Sequence, residues 1–155
     1  MEIPITIGRA TLSDLEEIVA IEESCLSSEE IVSYEFLEES IRKIADTFLV
    51  ARDENQLVGY VLGESQSLHP TWIEIRSFAI HPDHRGQGLG TLLLASLKQV
   101  IVEGGYEYLR LTCPADLLSY FEMNGFVEEE APEASCARFS GWNLIWTNPF
   151  DQEEV

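Results

Sequence analysis

The chain has 155 residues, 45% of them hydrophobic, which fits one domain built around a sizeable core. Its 28 acidic side chains against 9 Lys and Arg give a formal charge of −19, a surface that repels phosphodiester backbones and anionic headgroups and so argues against nucleic-acid and membrane partners. Cys25, Cys113 and Cys136 are far apart and odd in number, which argues against a disulfide framework or a metal site; no basic, apolar leader opens the chain, no stretch approaches the ~20 apolar residues that span a bilayer, and a cytoplasmic location is expected.

Ile3 to Gly8 reads as a short strand. Thr11 and Ser13 offer N-caps, with Asp14 and Glu16 three residues on, and Leu15, Ile18 and Val19 supply the stripe of a first helix that runs to about Ser24. Ser27 and Ser28 precede Glu29 and Glu30, and Ile31, Tyr34, Phe36, Leu37 and Ile41 are spaced for a second amphipathic helix. At Thr47 the period changes: Phe48 to Ala51 and Leu57 to Gly63 read as an antiparallel hairpin turning at Asp53-Glu54-Asn55-Gln56. Glu64 to Pro70 forms a connection, and Thr71 to Ile80 is a strand that leads into a glycine-rich loop. Leu89, Leu92, Leu93, Leu97, Val100 and Ile101 recur at helical spacing up to a stop at Gly104-Gly105. Tyr108 to Thr112 is a strand, Pro114 to Asn124 a helix, Glu128 to Ser140 irregular, and Trp142 to Trp146 a final strand before an acidic tail, Asp151 to Val155.

Chemistry concentrates in the run from Ile80 to Gly90, Ile80-His81-Pro82-Asp83-His84-Arg85-Gly86-Gln87-Gly88-Leu89-Gly90. Glycines at a helix entry let phosphate oxygens approach main-chain N–H groups, the helix start offers unpaired donors and a positive dipole end, and Arg76, His81, His84 and Arg85 gather positive charge in an otherwise acidic chain. A glycine turn that only lets a helix pack on a sheet has the same composition. Gly-x-Gly-x-x-Gly fails because Thr91 stands at the third glycine, and a Walker loop fails because no Lys follows Gly90.

At these residues the sequence resembles the GNAT superfamily of N-acyltransferases, whose cofactor signature Gln/Arg-x-x-Gly-x-Gly/Ala is met by Arg85, Gly88 and Gly90. The resemblance extends to Arg9-Ala10-Thr11 with Asp14-Leu15, to the hairpin, to His81-Pro82 and to Asn124-Gly125-Phe126. Cys25 to Ser33, Leu111-Thr112-Cys113 and Trp142 look like the serotonin (arylalkylamine) N-acetyltransferase-like branch. The resemblance implies an α/β (α+β) single domain over residues 1–150, with a mixed, mostly antiparallel sheet of about six to seven strands splayed in the middle and about four flanking helices. It implies acetyl-CoA as acyl donor and no metal, with the pantetheine arm against Phe78, Ala79 and Ile80 and the phosphates on the main chain of Arg85, Gly86, Gln87, Gly88, Leu89 and Gly90.

The mechanism implied is direct attack of a neutral amine on the thioester, with a base for the amine proton and an acid for the departing sulfur. Glu74, on the strand before the loop, is the expected base; it could equally be an exposed strand carboxylate paired with Arg76, and in the arylalkylamine branch a histidine pair occupies the positions of Glu74 and Arg76. The acid of the family is a tyrosine in Phe-Tyr-x-x-x-Gly-Phe, but this chain reads Tyr120-Phe121-Glu122-Met123-Asn124-Gly125-Phe126, so Phe121 stands at the tyrosine position. Adjacent helical residues point about 100° apart. Tyr120, Cys113 or a water is left to serve as the acid.

Glu22, Glu23, Glu29, Glu30 and Glu35 make the first two helices negative, which suits a small cationic amine as acceptor, or a basic peptide N-terminus or lysine, although glutamates on helix faces also serve simply to solvate them. An acyl-CoA sensor without turnover is the rival reading, and a monomer or homodimer is expected.

Overall fold

The computed structural model describes residues 5–25, 33–43, 46–65, 71–129 and 141–150. Strand β1 (Ile5–Arg9) is followed by a 3₁₀ turn at Leu12–Asp14 and helix α1 (Leu15–Cys25). The expected cap is in place: the Thr11 amide donates to Asp14 Oδ2 at 2.7 Å, the returning half of a capping box. Asp14 is itself buried and ion-paired with Arg52, which ties the start of α1 to the sheet.

Helix α2 (Tyr34–Lys43) opens with the Phe36 amide donating to Ser33 Oγ at 3.0 Å. Its expected opening at Ser27-Ser28 lies outside the described residues. Strands β2 (Phe48–Asp53) and β3 (Gln56–Glu64) form the hairpin around a two-residue turn in which Glu54 takes a φ of 59°.

Strand β4 (Trp72–Ile80) leads through a 3₁₀ turn (Pro82–His84) into α3 (Leu89–Gly104), which stops at Gly105 in the left-handed conformation as the sequence suggests. Strand β5 (Tyr108–Cys113) follows. The expected Pro114 to Asn124 helix is a 3₁₀ turn (Ala115–Leu117) and then the short α4 (Leu118–Met123), because the Leu117 amide closes back on the Pro114 carbonyl at 3.1 Å. The short β6 (Val127–Glu128), which the sequence did not signal, and β7 (Trp142–Thr147) complete the sheet.

Among the described residues the sheet has seven strands, in the order β1-β2-β3-β4-β5-β7-β6. All neighbours are antiparallel except β4 and β5, which run parallel and pair only through Trp72 with Tyr108, Ile73 with Leu109 and Glu74 with Arg110. Beyond Glu74 the two strands part, while β5 goes on pairing with β7 as far as Cys113 with Trp142. The fold expected from the sequence, a mostly antiparallel sheet splayed in the middle with four helices, is the fold observed.

Two cores lie on opposite faces. Helix α3 buries Leu93, Leu94, Leu97 and Ile101 against Val61, Ile73, Ile75 and Leu109, and Phe121 and Phe126 join this side. Helices α1 and α2 bury Ile18, Ile21, Leu37 and Ile41 against Phe48, Val50, Tyr60 and Leu62. Between them β4 carries a bulge: the ladder steps from Gly63 opposite Ile75 to Leu62 opposite Ser77, so that Arg76 is the extra residue. Ile75 and Phe78 face α3, whereas Arg76 lies 4.7 Å over the Phe36 ring of α2 and Ser77 bonds to Glu22 of α1.

Phe126 locks α4 to the rest of the α3 side. It is 1% exposed, its ring lies 5.8 Å from that of Phe121, and Lys98 of α3 reaches over it to the Asn124 carbonyl. Phe126→Ala is expected to cost about 3–5 kcal/mol of unfolding free energy, read as a lower urea midpoint at an unchanged m-value.

Candidate active site

A cavity of about 650 Å³ opens where β4 and β5 part. Phe78, Ala79 and Ile80 line one wall, Leu111, Thr112 and Cys113 the other, and Arg85, Gly86, Gly88, Leu89 and Gly90 the end at the start of α3. Of the residues expected to hold a cofactor only Gln87 is absent from this lining, and it is exposed.

The loop's conformation follows from its residues. His81 Nδ1 accepts from the Asp83 amide at 3.0 Å, and the His84 amide donates to the His81 carbonyl at 2.9 Å, which fixes the tight turn at Pro82. Gly86 and Gly88 then take φ values of 79° and 82°, which L side chains adopt only with strain, and a Cβ built on either would meet open space. Here glycine is required by backbone conformation. Gly90 answers to a different constraint: a Cβ there would stand 2.5 Å from Tyr120 Oη and 3.2 Å from Phe78, so it is glycine because α3 packs this closely on α4 and β4. No side chain caps α3, and the first amides of a helix have no partner within it, so donors and a positive dipole end are offered at the cavity's end.

The expected cations divide. Arg85 and His84 line the cavity, with Arg85 Nε donating to the Ile80 carbonyl at 3.3 Å. His81 is not on the lining, and its ring packs edge-on against His84 at 5.5 Å between centroids. Arg76 lines the cavity too, but it is ion-paired with Glu64.

Glu74 is 6% exposed and belongs to the last pair before the strands part, with Arg110 on one side and Glu64 on the other. It is not among the lining residues. Glu74 is thus buried rather than exposed, and Arg76 forms an ion pair with Glu64 on the neighbouring strand. Tyr120 does line the cavity, and its hydroxyl lies 3.4 Å from Thr91 Oγ1 in the first turn of α3. Phe121 is buried on the same lining among aromatic rings, 6.0 Å from Phe78 and 5.2 Å from Tyr120. The exchange of the two aromatics thus places the hydroxyl at the helix start and a hydrocarbon ring beside β4. Cys113 is buried on the far wall, its thiol pushed up to about 11 by burial and then by the charges of Asp116 and Glu122, so it stays protonated at neutral pH.

On the acceptor side, Glu23 and Glu35 are exposed, whereas Glu29, Glu30 and the 130–140 segment lie outside the described residues. Glu22 differs from its neighbours. It is 1% exposed and accepts hydrogen bonds from Tyr60 Oη at 2.7 Å and Ser77 Oγ at 3.0 Å. Ser77 is on the cavity lining. The sequence held a signal for this group: Glu22 occupies a stripe position, four residues after Ile18 and seven after Leu15, where an amphipathic helix should carry an apolar side chain.

Among the described residues no group of three His, Cys, Asp or Glu side chains is placed to hold a metal ion, and no helix is long and apolar enough to cross a membrane. No curated protein matches the sequence. Solved structures do match its fold. The ribosomal-protein-S18-alanine N-acetyltransferase from Escherichia coli superposes with a TM-score of 0.78 at 17% identity, over 98% of this chain and 99% of that one. The PaiA N-acetyltransferase from Thermoplasma acidophilum, solved in complex with coenzyme A, gives 0.74 at 19% identity, over 93% and 99%. The diaminobutyrate acetyltransferase EctA from Paenibacillus lautus, in complex with L-2,4-diaminobutyric acid and coenzyme A, gives 0.75 at 16% identity, over 99% and 100%. The sequence itself matches the acetyltransferase (GNAT) family over residues 14–126, which include the hairpin, the parting strands, the glycine loop and α4, and the chain therefore belongs to that family.

Proposed function

We propose that the protein is an N-acetyltransferase that transfers the acetyl group of acetyl-CoA to a primary amine by direct attack, with a single catalytic domain over residues 1–150. One observation carries this reading. The space between β4 and β5 ends at an uncapped helix start, reached through two glycines in the left-handed conformation. A pyrophosphate suits the donors at that end, and an extended pantetheine arm suits the gap, where strand β4 presents main chain to it. Coenzyme A in two of the similar structures supports the same ligand here.

Phe78, Ala79 and Ile80 would flank the pantetheine arm, and the main chain from Arg85 to Gly90 would hold the phosphates, Gln87 from the exposed side of the loop. The base and the acid fall to Glu74 and Tyr120. Tyr120 is on the cavity wall, while Glu74, buried at the closed end of the gap, would reach an amine only through an intermediary. A small cationic amine suits the negative first helix, and the diaminobutyrate bound by EctA is a ligand of this kind. An arylalkylamine is the narrower choice within it. A peptide N-terminus is a second acceptor class, suggested by the E. coli enzyme of similar fold. The sensor reading rests on Phe121, which removes a hydroxyl from the wall beside β4.

Calorimetry with CoA, followed by assay of thiol release from acetyl-CoA against small diamines, arylalkylamines and N-terminal peptides, tests these together: saturable binding with amine-dependent release is expected, and binding without release would favour the sensor. Gly88→Val disfavours the left-handed backbone that presents the loop amides and is expected to weaken CoA binding by about 5- to 30-fold, the equivalent of ~1–2 kcal/mol of backbone strain. Phe121→Tyr places a hydroxyl beside β4 and is expected to raise kcat, by up to the roughly 10²-fold that a general acid supplies. The kcat of the two proteins at saturating acetyl-CoA checks this.

A further inference from the structure

Tyr60 of β3, Ser77 of β4 and Glu22 of α1 bring three oxygens into mutual contact. Tyr60 Oη lies 2.7 Å from Glu22 Oε2 and 2.7 Å from Ser77 Oγ, and Ser77 Oγ lies 3.0 Å from the same Oε2. Exposures of 0% for Tyr60, 1% for Glu22 and 5% for Ser77 set the group inside the protein. Each contact needs one hydrogen, and the two hydroxyls supply two. With Glu22 ionised, both hydroxyls can donate to Oε2, and the tyrosine and serine oxygens then face each other with no proton between them. A third proton, carried by the carboxyl group, completes the set. The triangle is therefore built to accept one more proton.

That role falls to Glu22, the one carboxyl group of the three. Arg76, the cation of β4, pairs with Glu64 of β3 and lies over the Phe36 ring of α2. Cys25, on α1 itself, gives its thiol to the Ile80 carbonyl at 3.2 Å. Tyr60 keeps its proton, since burial first and the Glu22 charge second push the phenol well above its usual value. Ser77 alone of the three reaches the cavity lining, next to Phe78 and on the face that α1 and α2 cover.

We propose that Ser77 and Glu22 form the proton relay for the acceptor amine: as nitrogen bonds to the thioester carbonyl carbon, its proton passes to Ser77 Oγ while the serine's own proton passes to Glu22 Oε2. The carbon–sulfur bond then breaks and CoA leaves as thiolate with the electron pair, the proton resting on Glu22 until solvent removes it. Ser77 is the group that touches the amine, and Glu22 acts through it. The relay rests on the acetyltransferase reading and takes over from Glu74, which is not on the cavity lining, the task of accepting the amine proton.

The test compares Ser77→Ala, Ser77→Thr, Glu22→Gln and Glu74→Gln with the wild type, using acetyl-CoA and the amine panel. Ser77→Ala and Glu22→Gln are expected to lower kcat by about 10²-fold or more, the range of general base catalysis, with the KM for acetyl-CoA unchanged. Ser77→Thr, which keeps the hydroxyl, should retain most of the rate, and the acidic limb of the wild-type kcat/KM profile should be missing in Glu22→Gln. Should Glu22→Gln fail to fold, Ser77→Ala decides. Wild-type rates in both variants, or a loss confined to Glu74→Gln, would overturn the relay and leave the acetyltransferase reading standing. A wild type that binds CoA yet acetylates no amine would overturn the two together.

Discussion

Strands β4 and β5 hold together through three residue pairs and then part, and the site depends on that separation. A continuous sheet would fill the gap with ladder hydrogen bonds, and the main chain of β4 beyond Glu74 would have nothing to offer a ligand. The separation is maintained from outside. Helix α3 and its apolar face pack across both halves, β7 takes over the pairing of β5, and the aromatic rings of Phe121 and Phe126 prop the α4 side. The opening is thus a feature of the core, present before any ligand arrives.

At its wide end the glycines of one short motif answer to two separate constraints. Gly86 and Gly88 are needed for backbone conformation, and Gly90 for the close approach of α3 to Tyr120 and Phe78. That approach also carries the Tyr120 hydroxyl to the first turn of α3, so the motif and the exchanged aromatic pair are parts of one packing arrangement. Electrostatics follow the same economy of means: in a chain of charge −19, the positive end is made from helix amides and Arg85, while Arg76 is taken up by Glu64.

Much of this was legible from residue patterns because it is local. Helical periodicity in the Leu89 to Ile101 run, the hairpin turn, the stop at Gly105 and the capping box at Thr11 are all decided within a few residues, and they stand as read. The glycine loop was legible for the same reason. Contacts between distant segments were not. Glu22 meets Tyr60 38 residues away and Ser77 55 residues away, and no spacing rule links them. Burial of Glu74 and the pairing of Arg76 with Glu64 depend on which strands are neighbours and on a one-residue shift in their register. Val127 and Glu128 form too short a strand for alternation to mark it.

The bulge at Arg76 also changes the spatial grain of the surface it serves. A regular strand shows a given face one side chain per ~6.7 Å, because alternate residues turn away. By adding one residue, β4 turns two consecutive side chains, Arg76 and Ser77, toward α1 and α2, with Cα atoms about 3.8 Å apart. The opposite face keeps Ile75 and Phe78 in the α3 core, so polar chemistry is crowded onto one side of the strand while the apolar packing on the other is left as a regular strand would have it.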